Sequence, residues 1–122
     1  MFELTINGTV YSFKFGIGFV KEVSRKKQVA MEGSKEDVGL EYTIAKIQEG
    51  DIVALADVLN IANKYAGEPR ITTNAIEEYL EDECTDIDKI FDDVIDFFGK
   101  SNATKRRARA MTEAMEEAQK KK

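Results

Sequence analysis

The opening of the chain constrains its fold more tightly than any other stretch. Phe2-Glu3-Leu4-Thr5-Ile6 alternates apolar and polar, the period of a strand with one face buried. Asn7-Gly8 follows, the dipeptide favoured where a type I′ turn needs positive φ at both central residues. The chain then returns through Thr9 to Lys14. A two-residue turn sets Ile6 opposite Thr9, Leu4 opposite Tyr11 and Phe2 opposite Phe13. These six side chains share one face, which is almost wholly apolar, while Glu3, Thr5, Ser12 and Lys14 take the other. A lone hairpin is marginal in water, so the apolar face must be covered. The nearest cover is Phe15, Phe19, Val20 and Val23, which recur at helical spacing. Hairpin and first helix are expected to form the nucleus of the fold.

The remainder reads as helix. The first helix is expected over about 15–27, with Gly16 and Gly18 weakening its first turn or letting it approach the hairpin, and Arg25-Lys26-Lys27 at its C-terminal end. Residues 28–33 read as a connection. Ser34-x-x-Asp37 resembles a capping box and predicts a helix over about 35–48, with Val38, Tyr42, Ala45, Ile44 and Ile47 inward and Gly39 as its weak point. Gly50-Asp51 breaks that helix and caps the next, over about 51–65, which is apolar on more than one face and so belongs at the centre. Gly67 and Pro69 stop it. Asn74 with Glu77 marks a fourth helix to about Asp82, and Thr85-x-x-Asp88 a fifth that Gly99 ends. The expected fold class is α+β, mostly α: an N-terminal two-stranded β-hairpin packed on a bundle of about five helices, with a loose helical C-terminal tail. The expected division is a globular unit over 1–99 and a charged, partly disordered or extended helical tail over 100–122.

Charge is unevenly placed. Residues 77–96 hold ten acids and one base, whereas 105–122 hold seven bases and three acids. An acidic body with a basic tail fits self-association or a partner read by charge, and it equally fits a solvated helix face and a soluble tail. The chain has no histidine, so it has neither an imidazole base nor a histidine metal site. Cys84 is the only cysteine, excludes an internal disulfide and has no cationic neighbour in sequence to activate it. Gly99-Lys100-Ser101 lacks the earlier glycine of a phosphate loop, since Val94 stands there. Asp86-x-Asp88 lacks the rest of a calcium loop. Carboxylates are abundant, but none is singled out by an apolar setting. No catalytic residue, cofactor or metal ligand is expected, and the chain is not expected to be an enzyme. With no signal-like or membrane-length apolar run, it is expected to be soluble and cytoplasmic.

The feature that invites a function is the stripe Ile87, Ile90, Phe91, Val94, Ile95, Phe98, with Phe97 beside it. Five aspartates and one lysine (Asp86, Asp88, Lys89, Asp92, Asp93 and Asp96) take the opposite side. Such a stripe is either ordinary core or a seam for another apolar helix. The candidate binding residues are Phe91, Val94, Ile95, Phe97 and Phe98. Phe97 falls off the main stripe and is the one expected to be left for a partner.

The opening from Phe2 to Gly8, together with Tyr11-Ser12-Phe13-Lys14-Phe15-Gly16-Ile17-Gly18-Phe19, resembles the tail assembly chaperones of long-tailed phages and prophages of Gram-positive bacteria. The acidic helical remainder matches that family in character only. The resemblance implies a non-enzymatic protein of the host cytoplasm that binds the hydrophobic, helical tape measure protein until tail tube protein polymerises around it. It also implies self-association and absence from the mature virion. The competing readings are a structural tail or head–tail joining protein of the virion, and an acidic regulator that mimics nucleic acid through residues 77–96.

Overall fold

The computed structural model describes residues 1–25, 28–31, 34–37 and 39–120. Strands β1 (Phe2–Ile6) and β2 (Thr9–Phe13) pair antiparallel in the expected register, Phe2 with Phe13, Leu4 with Tyr11 and Ile6 with Thr9. Asn7 and Gly8 both take positive φ, 52° and 78°, as the two-residue turn requires. Phe2, Ile6 and Phe13 are buried, and Leu4 and Tyr11 pack at the edge of the core.

Helix α1 is shorter than expected, Ile17–Ser24, with Gly16 as its N-cap and Arg25 as its C-cap. Lys26 and Lys27 lie outside the described residues. Phe15 therefore precedes the helix, in the link from β2. Its ring sits among Phe2, Phe19, Phe97 and Phe98, with centroids 5.3–6.5 Å away. The helix laid across β2 is not α1 but α3 (Ile52–Ala66), joined to the hairpin where Lys14 N–H donates to the Ala62 carbonyl at 2.9 Å. Gly18 likewise faces α3, not the hairpin: a Cβ there would stand 2.5 Å from the Tyr65 ring.

A second hairpin replaces the expected connection and helix start. Strand β3 (Gln28–Met31) pairs antiparallel with β4 (Ser34–Asp37), Gln28 with Asp37 and Met31 with Ser34. Ser34 and Asp37 thus lie in a ladder, in place of the expected helix start. Helix α2 (Gly39–Gln48) begins after the strand. Val38, expected inward, lies outside the described residues. The inward residues of α2 are Leu40, Ile44 and Ile47, whereas Tyr42 is outward. Gly39 is buried against α1, where a Cβ would fall 1.7 Å from the Val23 carbonyl oxygen. Its lack of a side chain lets α1 and α2 meet.

Helix α3 is central, as its apolar breadth predicts. Leu55, Ala56, Val58, Leu59, Ile61 and Ala62 are all buried. Each large one contributes about 2 kcal/mol through area removed from water. Asp51 caps it, accepting from Ala54 N–H at 3.0 Å. The one polar residue fully buried on α3 is Asn63. Its Nδ2 donates to the carbonyls of Ser12 and Pro69, both at 3.1 Å. Its Oδ1 accepts from Ile71 N–H at 2.9 Å and Arg70 Nε at 3.0 Å. One side chain thereby joins β2, α3 and the segment that leaves it.

Holding Ile71 fixes where the next helix starts. Helix α4 (Thr73–Glu78) is capped by Thr72, whose hydroxyl accepts from Ala75 N–H at 3.1 Å, so the cap lies two residues before the expected Asn74. A π-helical turn, Tyr79–Glu83, follows.

The surface link between α1 and α3 is polar. Glu22 accepts from Lys64 Nζ at 2.8 Å and Tyr65 Oη at 2.9 Å. Both pKa values are raised, first by the hydrogen bond to Glu22. A raised pKa stabilises the fold below its ordinary value and stops doing so as pH rises through it. Thermal stability is therefore expected to fall in the alkaline range above pH ~10, and less steeply in Glu22→Gln, as pH-dependent melting will show.

Candidate functional site

Helix α5 (Ile87–Lys100) carries all five candidate residues. Asp86 caps it, accepting from Lys89 N–H at 3.1 Å, one residue beyond the expected Thr85. The helix runs through Gly99 to Lys100. Its outer side is charged. Lys89 pairs with Asp93 at 2.9 Å and Lys100 with Asp96 at 2.7 Å, each one turn apart. The hydrogen bond that Lys89 donates to the Asp93 carboxylate raises the Lys89 pKa.

The apolar stripe divides into two layers. Ile90, Val94 and Phe98 are buried, Val94 and Phe98 almost completely at 0% and 1% exposure. Ile87, Phe91, Ile95 and Phe97 are half-buried and pack at the margin of the core. Phe97 is not free of the fold. Its ring lies 5.4 Å from Phe2 and 6.1 Å from Phe15, centroid to centroid. It also lines an open hollow of 350 Å³ with Met1, Phe13 and Phe15, flanked by Lys14 and Lys100. Ile95 and Phe98 reach a second hollow of 540 Å³, between α5, α2 and the last helix.

That last helix, α6 (Lys105–Lys120), is seated on the body by its first turns. Buried Thr104, just before it, donates its hydroxyl to the Phe98 carbonyl at 2.7 Å. Ala108 is buried, Met111 half-buried, and Arg107 Nε meets Glu41 of α2 at 3.0 Å. Ser101 Oγ donates to the Phe15 carbonyl. The sequence contains the signal for this seating: Thr104, Ala108 and Met111 fall on one helical face. The face is faint because two of the three are small.

The arrangement is suited to reversible apolar contact. Half-buried side chains at the rim of open hollows still have area to lose to a partner, at about 25 cal/mol per Å². Among the described residues, no group of three or more His, Cys, Asp or Glu is placed to hold a metal ion. Cys84 is a free, half-buried thiol. Beside it Tyr79 has a raised pKa, mainly from burial. Among the described residues, no helix is long and apolar enough to cross a membrane.

A family model described as phage tail assembly chaperone protein, TAC, matches residues 3–113. No curated protein gives a significant match. No solved structure does either.

Proposed function

We propose, because the chain belongs to the phage tail assembly chaperone family, that it binds the long hydrophobic tape measure protein during tail morphogenesis and keeps it in solution without catalysis. The observation that carries this reading is the outer layer of α5. Phe91, Ile95 and Phe97 are half-buried, the last two beside open hollows, on a helix whose other side is acidic. The apolar layer covers client helix while the carboxylates keep the complex dispersed. Each contact is weak, and many copies along one client gain through effective concentration. Self-association of the bound copies adds to this. Tail tube protein then displaces them as it polymerises. The chain acts in the host cytoplasm and leaves no copy in the mature virion.

Phe98 and Val94 are unsuitable probes, because a polar group at either would be buried without a partner. Phe91→Ser combined with Ile95→Ser is the informative change. It is expected to weaken binding to co-expressed tape measure protein about thirtyfold, from two lost apolar contacts of ~1 kcal/mol each, and so to lower the client's soluble fraction. Circular dichroism should show the helices retained. A folded double variant that still solubilises the client removes α5 from the binding surface.

A further inference from the structure

The first turn of α3 exposes two large apolar side chains side by side, Ile52 at 45% and Val53 at 69%. They form one wall of a groove of 410 Å³ between α3 and the unit of α4 and its π-helical turn. Its floor is Ala56 and Leu80, both 6% exposed. Apolar binding sites commonly span roughly 300–1,000 Å³. The other lining residues, Asp57, Glu77 and Glu81, are all acidic. Among the described residues none of these three carboxylates makes an ion pair.

An apolar trough rimmed by unpaired carboxylates has a definite complement. It takes an amphipathic helix with a ridge of large apolar side chains and with lysine or arginine on both flanks. We propose that this groove is a second docking surface, distinct from α5, for basic amphipathic helical segments of the client; it rests on the chaperone reading above. The chain's own basic helix is a poor occupant. Among the described side chains of α6, Met111 packs on the body, and the exposed Ala110 and Ala114 are too small to fill the trough.

The test uses the purified full chain and two synthetic amphipathic helices with the same leucine ridge, one flanked by lysine and the other by glutamate. The lysine peptide is expected to bind, to shift the amide resonances of Ile52, Val53, Ala56 and Leu80, and to weaken as salt rises. Val53→Asp should raise its Kd about tenfold. That variant is expected to fold, since a carboxylate in the first turn of a helix is favoured by the dipole. Glu77→Lys with Glu81→Lys, both exposed, should reverse the preference between the peptides. Equal binding of both peptides, binding of neither, or shifts confined to other residues would overturn the proposal. So would a change in the sedimentation of the chain alone on Val53→Asp, which would make the groove a contact between copies. The chaperone reading is separated by the tape measure protein itself. If wild type solubilises it and Val53→Asp does so equally well, the groove is wrong and the function stands. If wild type fails to solubilise it, the function is wrong.

Discussion

Asn63→Ala is expected to lower the stability of the fold by about 4 kcal/mol, a drop of roughly 15 °C in melting temperature for a chain of this size. The truncation removes little apolar area. It takes the Asn63 partner from four polar groups, the buried N–H of Ile71 and the part-buried carbonyls of Ser12 and Pro69 and Arg70 guanidinium. Each buried group left unpaired costs ~1–3 kcal/mol, discounted here because Arg70 is exposed and can turn to water. The loss is also expected to be structured. Because Asn63 joins β2 to the segment before α4, amide exchange should rise at Ser12, Lys14 and Ile71 before it rises in α5. A variant within 1 kcal/mol of wild type would mean that water replaces the side chain, and that the clamp is not what holds hairpin and helix together.

Gly39→Ala is expected to cost about 3 kcal/mol or more, roughly 10 °C. Alanine is ordinarily the better helix former, so propensity alone predicts the opposite sign. The added carbon would stand 1.7 Å from the Val23 carbonyl oxygen, a contact that only movement of α1 away from α2 relieves. The neighbour is backbone, which cannot turn aside as a flexible side chain can. Gly99→Ala serves as the control. A Cβ there meets nothing within 4 Å, in the last turn of α5, so that change should stabilise by ~0.5–1 kcal/mol. Urea titrations of the two variants give the comparison directly. Equal effects would show that α1 and α2 are not in close contact in solution.

The parts of the fold legible in the sequence are those set by local chemistry. Asn7-Gly8 determines a turn, the turn determines a register, and the register puts Phe2, Ile6 and Phe13 inside. The breadth of apolar residues on α3 places it at the centre. Long-range choices were not legible. Val29 to Asp37 lies outside any alternating pattern, and the two residues between Met31 and Ser34 carry no strong turn dipeptide, so the second hairpin passes for a link and a capping box. Gly39 looks like a helix weakness because the sequence does not say that Val23 lies against it. Asn63 carries no mark in the sequence, because its four partners come from positions 12 and 69–71.

The same limit applies to the candidate surface. The stripe on α5 is plain in the sequence, but its division into a buried and an outer layer depends on what packs against it. Val94 and Phe98 are closed in by neighbours that periodicity cannot name, and Phe97, expected outside, rests on Phe2 and Phe15. The seating of α6 depends on Thr104 and Ala108, residues whose small size hides their position.

The central claim is that this chain shields the apolar helices of a tape measure protein through apolar contact. The direct measurement is the soluble fraction of that protein, produced with and without this chain in the same host and followed into high salt. The account predicts that the client is insoluble alone, soluble in complex with the chain, and still held as ionic strength rises, since salt screens charge but not apolar burial. A client that pellets equally in both cases, or is released as soon as salt is raised, would contradict it.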